Sequence, residues 1–304
     1  MAHAFAALAD WGTSNFRLWL VDAEGRVLAE TQSPEGMGGL AREQYEGVLE
    51  GHLTALSAPA DLPVMIAGMA GARTGWIEVP YLDAPAKLAT VAEGAFRAPH
   101  AGREVYILPG VCQRAPLPYN VMRGEETQLA GAAAAGHADG LFCLPGTHSK
   151  WAELEGGTLT RFATIMTGEL FDLLATKSIL RLSVEASSPT TSANPDFIDG
   201  VATALEPGFA FTASLFSIRA AALLADLKPD AAAARLSGLL IGHEIAGIGR
   251  DMTIDRPVRL IGSARLTELY GKALEIAGHT SQVLDGSHLV RDGLFVAARL
   301  KFSS

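Results

Sequence analysis

The sequence predicts an α/β protein built from two domains, and three observations lead there. Its 304 residues suffice for two ordinary domains. Apolar residues make up 49% of the chain and charged ones only 19%, so a sizeable core must be buried. Most telling is a repeat of architecture. The order strand, Gly-Thr turn, strand, acidic-Gly turn, strand runs from Phe5 and runs again from Leu141, with weak identity of residues. The halves divide as residues 1–130 and 131–304, with the last helix able to pack back on the first domain.

In chain order, the first copy reads as a β-meander over residues 4–31. An apolar strand (Phe5 to Ala9) meets a turn at Asp10–Asn15. F-R-L-W-L-V follows, with Phe16, Leu18 and Leu20 on one face, and the turn D-A-E-G-R leads into V-L-A-E. Residues 41–56 read as a helix, and V-M-I-A (Val64 to Ala67) as a strand opening into G-M-A-G-A-R-T-G-W. A helix is expected over 86–96 and a strand over Val105 to Leu108. From Glu125, E-E-T-Q-L-A-G-A-A-A-A is a helix by propensity, with acids in its first turn, and it ends at Gly136.

The second copy then opens with L-F-C-L-P, turns at G-T-H-S-K, and continues through W-A-E-L, E-G-G and T-L-T-R-F-A. Helices are expected over 169–181, 212–226 and 232–248, with an exposed Ser/Thr/Pro-rich loop between Leu182 and Asn194. Val258 to Ser263 reads as a strand running into a helix whose Leu266, Leu269, Tyr270, Ala273 and Leu274 share a face. Gly278 fits its C-cap. The strand S-Q-V-L and a helix from about Leu289 complete the chain.

Composition also removes function classes. A net charge of −9 argues against a nucleic-acid surface, although backbone N–H groups and a cation can still hold phosphate. Cys112 and Cys143 read as buried thiols of a reducing compartment, since neither sits in a zinc spacing. The N-terminal stretch lacks a basic region before its apolar one, and no apolar run is long enough to span a bilayer. A cytoplasmic protein with no membrane partner is expected, and a homo-oligomer is compatible with the sequence.

Two hairpins with Gly-Thr tips suit a phosphate clamp. Glycine admits close approach of the main chain, and successive N–H groups with Thr or Ser hydroxyls donate to phosphate oxygens. The candidates are Gly12, Thr13, Ser14 and Asn15 in the first tip and Gly146, Thr147, His148, Ser149 and Lys150 in the second. Either tip alone is an ordinary tight turn; two copies a domain-length apart favour the clamp. Asp10, ending the first strand, would hold Mg²⁺ through water. The rival nucleotide motifs are missing: there is neither G-x-x-x-x-G-K-[ST] nor a strand followed by G-x-G-x-x-G.

At this point the residues reach a known superfamily. A-D-W-G-T-S-N resembles the first phosphate motif of the sugar kinase, Hsp70 and actin superfamily, P-G-T-H-S-K-W stands where its second does, and L-I-G-S resembles its adenosine motif. Within it, D-W-G-T-S-N-F-R, G-M-A-G-A-R-T-G-W-I-E-V-P-Y, M-R-G-E-E-T-Q-L-A-G, L-P-G-T-H-S-K-W and M-T-G-E-L-F resemble the 2-oxo-3-deoxygalactonate kinases. The second hairpin offers His148, Ser149 and Lys150 where the superfamily has Asp, leaving open which of them faces phosphate.

The resemblance implies two ribonuclease-H-like (actin-like ATPase) domains, with mixed β-sheets flanked by helices and the nucleotide in the cleft between them. It implies ATP as co-substrate with Mg²⁺, and a small sugar acid as acceptor, phosphorylated on its terminal hydroxyl in galactonate catabolism. A carboxylate near that hydroxyl would take its proton. By analogy with related sugar kinases it lies at the start of the joining helix, as Glu125 or Glu126, with Glu125 favoured; both would equally serve a helix's first turn. A guanidinium matches the sugar-acid carboxylate, and Arg73 and Arg123 are candidates, each of which would otherwise be a surface ion pair. Gly71 in the glycine-rich loop and Thr167 would line the substrate, Thr167 equally reading as an N-cap. Gly262 and Ser263 fall on the adenosine side. Trp76 and Tyr81 read as packing rather than stacking residues. The alternatives are a kinase for another sugar acid, a phosphohydrolase, or a nucleotide-dependent regulatory protein on the same fold.

Overall fold

The first meander forms three strands where its sequence predicts them. In the computed structural model, which describes residues 3–100, 102–115, 118–187 and 189–303, β1 (Ala6–Trp11), β2 (Phe16–Val21) and β3 (Val27–Ser33) pair antiparallel in succession. β1 runs two residues further than the apolar stretch suggests, so Asp10 is a strand residue paired with Arg17, not part of the turn. The remaining strands of the N-terminal half are β4 (Val64–Gly68), β5 (Leu82–Asp83), β6 (Ala86–Lys87), β7 (Phe96–Arg97), β8 (Val105–Ile107), β9 (Val111–Gln113) and β10 (Asn120–Met122). All but β6 form a six-stranded sheet ordered β3-β2-β1-β4-β8-β7, in which β1, β4 and β8 are parallel, and a three-stranded sheet β10-β9-β5; β6 pairs with residues 158–159.

One face of the large sheet is closed by α1 (Tyr45–Ala55), whose Tyr45, Leu49 and Leu53 recur at helical spacing and pack with Ala7, Ala9, Trp11, Phe16 and Leu18. Trp76 joins this core, as expected. The stretch expected as a helix over 86–96 is instead β6 followed by a 3-10 helix at Leu88–Gly94. No side chain caps its start, and Thr90 and Val91 are β-branched. α2 (Glu125–Ala134) and α8 (Gly286–Phe302) cross so closely that a Cβ on Gly131 would lie 1.9 Å from the Leu289 carbonyl oxygen, and one on Gly293 2.0 Å from that of Thr127.

The chain divides into two compact units. The first comprises residues 1–139, 153–162 and 285–304; the second comprises 140–152 and 163–284. The second carries β11 (Gly140–Leu144), the N-terminal part of β12 (Ser149–Glu155), the C-terminal part of β13 (Thr158–Ile165), β14 (Val258–Ile261) and β15 (Ser281–Leu284). These strands are ordered β15-β14-β11-β12-β13, with β11, β14 and β15 parallel. Three consecutive strands followed by parallel neighbours repeat the arrangement β3-β2-β1-β4-β8, so the architectural repeat of the sequence is a repeat of topology.

Helices of the second unit are α3 (Thr167–Thr176), α4 (Pro195–Leu205), α5 (Phe211–Leu224), α6 (Pro229–Asp251) and α7 (Ala264–Ile276). α3 stops early because Ser178 donates to the Leu174 carbonyl and accepts from Leu180 N, which starts a separate 3-10 turn at Ile179–Leu182. The loop read as ending at Asn194 gives way there to α4. Asn194 accepts from the N–H groups of Asp196 and Phe197, and Pro195 takes the first helical position. Ser188 of that stretch lies outside the described residues. Asp285 caps α8 by accepting from Ser287 and His288, which sets its start three residues before Leu289. Gly278 follows α7 at φ 82°, the left-handed conformation a C-terminal glycine supplies. Both cysteines are buried free thiols. Among the described residues no helix is long and apolar enough to cross a membrane.

Candidate active site

The first hairpin presents Thr13, Ser14 and Asn15 to solvent, with Gly12 N–H donating to the Asn15 carbonyl at 2.9 Å to close the turn. The following loop braces it from behind. Met37 N–H donates to Gly12 O and Gly38 N–H to Thr13 O, while a Cβ on Gly36 would lie 2.4 Å from Thr13 O. Only glycine admits that approach. Trp11 Nε1 donates to Glu35 O at 2.9 Å and fixes the same loop. With the carbonyls held from the rear, the tip's hydroxyls face outward.

Asp10 stands at the mouth of a cavity of about 720 Å³, lined by Gly12, Asn15, Arg17 and Gln32. Its side chain is 18% exposed. Arg17, directly across the hairpin, donates from Nη2 and Nε to the same oxygen, Oδ2, at 2.5 and 3.2 Å. Oδ1 has no partner among the described residues, so an aquo-cation held through water fits this carboxylate. Burial raises the Asp10 carboxyl above its ordinary range, Arg17 opposes that rise, and the charge of Glu125 adds to it. The charge of Glu125 therefore reaches Asp10. Arg17 went unread in the sequence; the signal was its position opposite Asp10 in the strand register.

At the start of α2, Gly124 turns with φ 107° and brings its Cα side against Gly68, which itself lies on the Trp11 carbonyl. The end of β1, the end of β4 and the helix N-terminus thus meet in the first unit. Glu125 is half-buried, and its Oε2 accepts from Arg123 N at 3.0 Å. Glu126 is fully buried. Its Oε2 accepts from Gly124 N at 2.7 Å and its Oε1 from the Thr127 hydroxyl at 3.0 Å. Burial, then the neighbouring Glu125 charge, pushes its carboxyl up to about 7. Of the two glutamates expected as candidates for the base, Glu126 is enclosed and holds the turn from inside, and Glu125 is the more accessible.

Arg123 is not a surface ion pair. Its guanidinium lies 4.4 Å over the Tyr81 ring, Nη2 donates to Val79 O at 2.7 Å, and the buried Nε and Nη1 have no hydrogen-bond partner among the described residues. Tyr81, expected as packing, is half-exposed and carries this cation. A Cβ on Gly71 would come 2.8 Å from Nη1, so Gly71 makes room for Arg123. Arg73 is exposed; its carbonyl accepts from Arg42, and its guanidinium has no ion pair among the described residues.

In the second unit the hairpin tip exposes Thr147 and His148, and His148 Nε2 hydrogen-bonds Glu169. α3 abuts the turn: Glu169 N–H donates to Thr147 O, and a Cβ on Gly168 would lie 2.5 Å from Gly146 O. Lys150 is buried and donates from Nζ to His148 O at 3.2 Å, a contact that braces the turn. Ser149 is fully buried and shares a hydrogen bond of 2.8 Å with the Tyr270 hydroxyl. Its hydroxyl faces the interior, and of His148, Ser149 and Lys150 it is His148 that is exposed.

Thr167, whose other reading was an N-cap, does not cap α3. Met166 is the residue preceding α3, and the buried Thr167 hydroxyl donates to Glu244 Oε2. Glu244 also accepts from Trp151 Nε1 (2.6 Å) and Tyr270 Oη (2.7 Å), and burial raises its carboxyl against the pull of these donors. Sequence reading passed over Glu244, although one acid inside L-L-I-G-H-E-I-A-G-I was the signal. Ser263 caps α7 by accepting from Leu266 N, and Gly262 sits against Pro145 at the base of the hairpin. Beside them a cavity of about 190 Å³ is lined by Gly168, Phe171, Leu240, Arg265, Leu266 and Tyr270. Among the described residues no three His, Cys, Asp or Glu side chains gather as a metal cage.

Comparison with known proteins bears on the whole chain. A protein of Rhizobium meliloti named a probable 2-dehydro-3-deoxygalactonokinase is 46% identical over 97% of both chains. The 2-dehydro-3-deoxygalactonokinase of Escherichia coli is 32% identical over 94% of each. A Sinorhizobium meliloti protein whose crystal structure is described under the same enzyme name superposes with a TM-score of 0.94, at 45% identity, covering 99% of this chain and 100% of that one. The ADPNP-bound activator of 2-hydroxyisocaproyl-CoA dehydratase from Clostridium difficile shares the fold alone, at a TM-score of 0.53 and 12% identity, over 98% of this chain and 94% of that one. The fold is that of the actin-like ATPases and sugar kinases. With residues 10–297 matching the 2-keto-3-deoxy-galactonokinase profile, the chain belongs to that family.

Proposed function

We propose that the protein transfers the γ-phosphoryl group of ATP to the terminal hydroxyl of 2-keto-3-deoxygalactonate, giving the 6-phosphate and ADP in galactonate catabolism. Family membership supports the substrate. The observation at the site that carries the reaction class is the pair Asp10 and Glu125. The first is a partly exposed strand-end carboxylate held by Arg17, and the second stands at a helix start close enough to raise it.

In this reading Glu125 accepts the proton of the sugar hydroxyl as its oxygen bonds to the γ-phosphorus and the bond from that phosphorus to the β,γ-bridging oxygen breaks. Glu125 suits the role because it is accessible, whereas Glu126 is enclosed. Arg123, with two unpartnered buried N–H groups, is the better candidate for the sugar-acid carboxylate; the exposed Arg73 would serve at the rim. The tips bearing Thr13 and Ser14, and Gly146 and Thr147, would donate to phosphate oxygens, and the 190 Å³ cavity near Gly262 and Ser263 would take the adenosine side. Asp10 would hold Mg²⁺ through water at Oδ1, and Mg²⁺ when bound offsets negative charge on the phosphates. Gly71 would then act by seating Arg123.

The test is ADP release from Mg·ATP with 2-keto-3-deoxygalactonate, its gluconate epimer, galactonate and no acceptor. Strong turnover with the first alone is expected. Preference for another sugar acid would move the substrate, and ADP release without any acceptor would make the protein a phosphohydrolase and overturn the kinase reading.

A further inference from the structure

Glu244 is a buried carboxylate that no step of the proposed reaction uses. It lies on α6, 3% exposed, and three hydrogen-bond donors from three other elements converge on its two oxygens. Trp151 comes from β12, one residue after Lys150. Thr167 is the first residue of α3, and Tyr270 comes from α7. Tyr270 has a single proton and gives it to Glu244, so the hydroxyl of Ser149 must be the donor in the Ser149–Tyr270 bond. The chain of protons therefore runs Ser149 to Tyr270 to Glu244, from the second hairpin to the carboxylate.

Stability does not explain this arrangement. A carboxylate taken out of water loses more solvation than its partners commonly return, and apolar residues of similar volume serve a core as well or better. Hydrogen bonds differ from apolar contacts in being directional. Three donors fixed on one carboxylate set the register of β12 against the start of α3 and the middle of α7 to within a hydrogen bond's tolerance. Those elements shape the phosphate-facing side of the second unit. β12 leaves the hairpin turn, and α3 presses Gly168 onto Gly146 and donates from Glu169 N–H to Thr147 O. Thr167 and Tyr270 also line the cavity of about 190 Å³.

We propose that Glu244 is the positioning residue for nucleotide in the second unit, fixing the Gly146–Thr147 turn and the neighbouring cavity in their ATP-binding geometry. The inference rests on the reading of that turn as a phosphate contact. It makes the effect of Glu244 specific to one substrate: loss of the carboxylate weakens ATP and leaves the sugar acid, held in the first unit, nearly untouched.

The test measures KM for ATP and for 2-keto-3-deoxygalactonate separately in the full-length wild type, Glu244→Met, Glu244→Gln and Tyr270→Phe. For Glu244→Met, KM for ATP should rise about tenfold or more while KM for the sugar acid stays within about threefold. Glu244→Gln should restore most ATP affinity, because its amide oxygen can accept from Trp151 and the Thr167 and Tyr270 hydroxyls can turn to accept from its NH₂. Tyr270→Phe should fall between them. Equal losses on both substrates, or an unchanged KM for ATP, overturn the proposal. If Glu244→Met does not fold, the same criterion applied to Tyr270→Phe decides. A wild type without sugar-acid turnover refutes the kinase reading instead. Titration of these variants with a fluorescent ATP analogue then still measures the positioning role: weaker binding by Glu244→Met supports it, and equal binding overturns it.

Discussion

Replacing Glu126 by glutamine should make the protein more stable at alkaline pH and change it little in acid. The carboxyl is fully buried, beside the Glu125 charge, and its pKa is pushed from 4.5 up to about 7. In the folded state it therefore keeps its proton over a pH range in which the unfolded chain has released it. Between about 4.5 and 7 the folded state binds more protons, so stability falls as pH rises, and the full cost is felt above about 7. At about 1.4 kcal/mol per pKa unit the shift corresponds to roughly 3 kcal/mol between the two ends of that window. Glutamine is neutral throughout and can still accept from Gly124 N–H, so it escapes the cost. Urea unfolding of wild type and Glu126→Gln at pH 5, 7 and 9 measures the difference. The variant should match the wild type at pH 5 and exceed it by up to about 3 kcal/mol at pH 9. A gap that stays constant with pH would refute the argument, because it would mean the Glu126 carboxyl does not hold its proton on folding.

Three further outcomes are expected. Glu125→Gln should lose on the order of 10²–10⁴-fold in kcat with an unchanged circular dichroism spectrum, and a loss smaller than tenfold would remove Glu125 from the role of base. Arg123→Met should raise KM for the sugar acid by roughly 10–100-fold, the equivalent of about 1.5–3 kcal/mol for hydrogen bonds to a charged group, with KM for ATP steady; the reverse pattern would place the carboxylate elsewhere. Gly293→Ala sets a methyl 2.0 Å from the Thr127 carbonyl oxygen. Overpacking of this kind costs about 1–3 kcal/mol. An unshifted urea midpoint would show that the two helices part more easily than the contact implies.

Much of this was readable because the signals are local. Each Gly-Thr tip follows a short apolar stretch and precedes another strand, so the repeat could be found without contacts. α4 was hidden because T-S-A-N-P looks like more loop, yet Asn194 before Pro195 is a capped helix start. Arg17 and Glu244 resisted for another reason. Arg17 matters through its register opposite Asp10, and Glu244 through donors 26 to 93 residues away in sequence. Ser149 is polar in sequence but enclosed in the fold: it shares a strand face with the buried Trp151 and is drawn inward with it. The two glutamates at residues 125 and 126 are alike in sequence; only their angle around the helix separates an accessible acid from an enclosed one.

The crossing of α2 with α8 has a consequence for how the protein comes into being. Its backbones touch at Gly131 and Gly293, so the helix that carries Glu125 is seated directly on the helix spanning residues 286–302. Between the two, the ribosome must make roughly 150 residues, the whole second unit among them, which takes on the order of ten seconds at ~5–20 residues per second. During that interval α2, ten residues long, has only the 3-10 helix at Leu88–Gly94 of the two helices it packs on, and a helix of that length is marginal by itself in water. Full seating of the helix that bears the proposed base therefore waits on residues 286–302, and a chain cut short before them would lack that support.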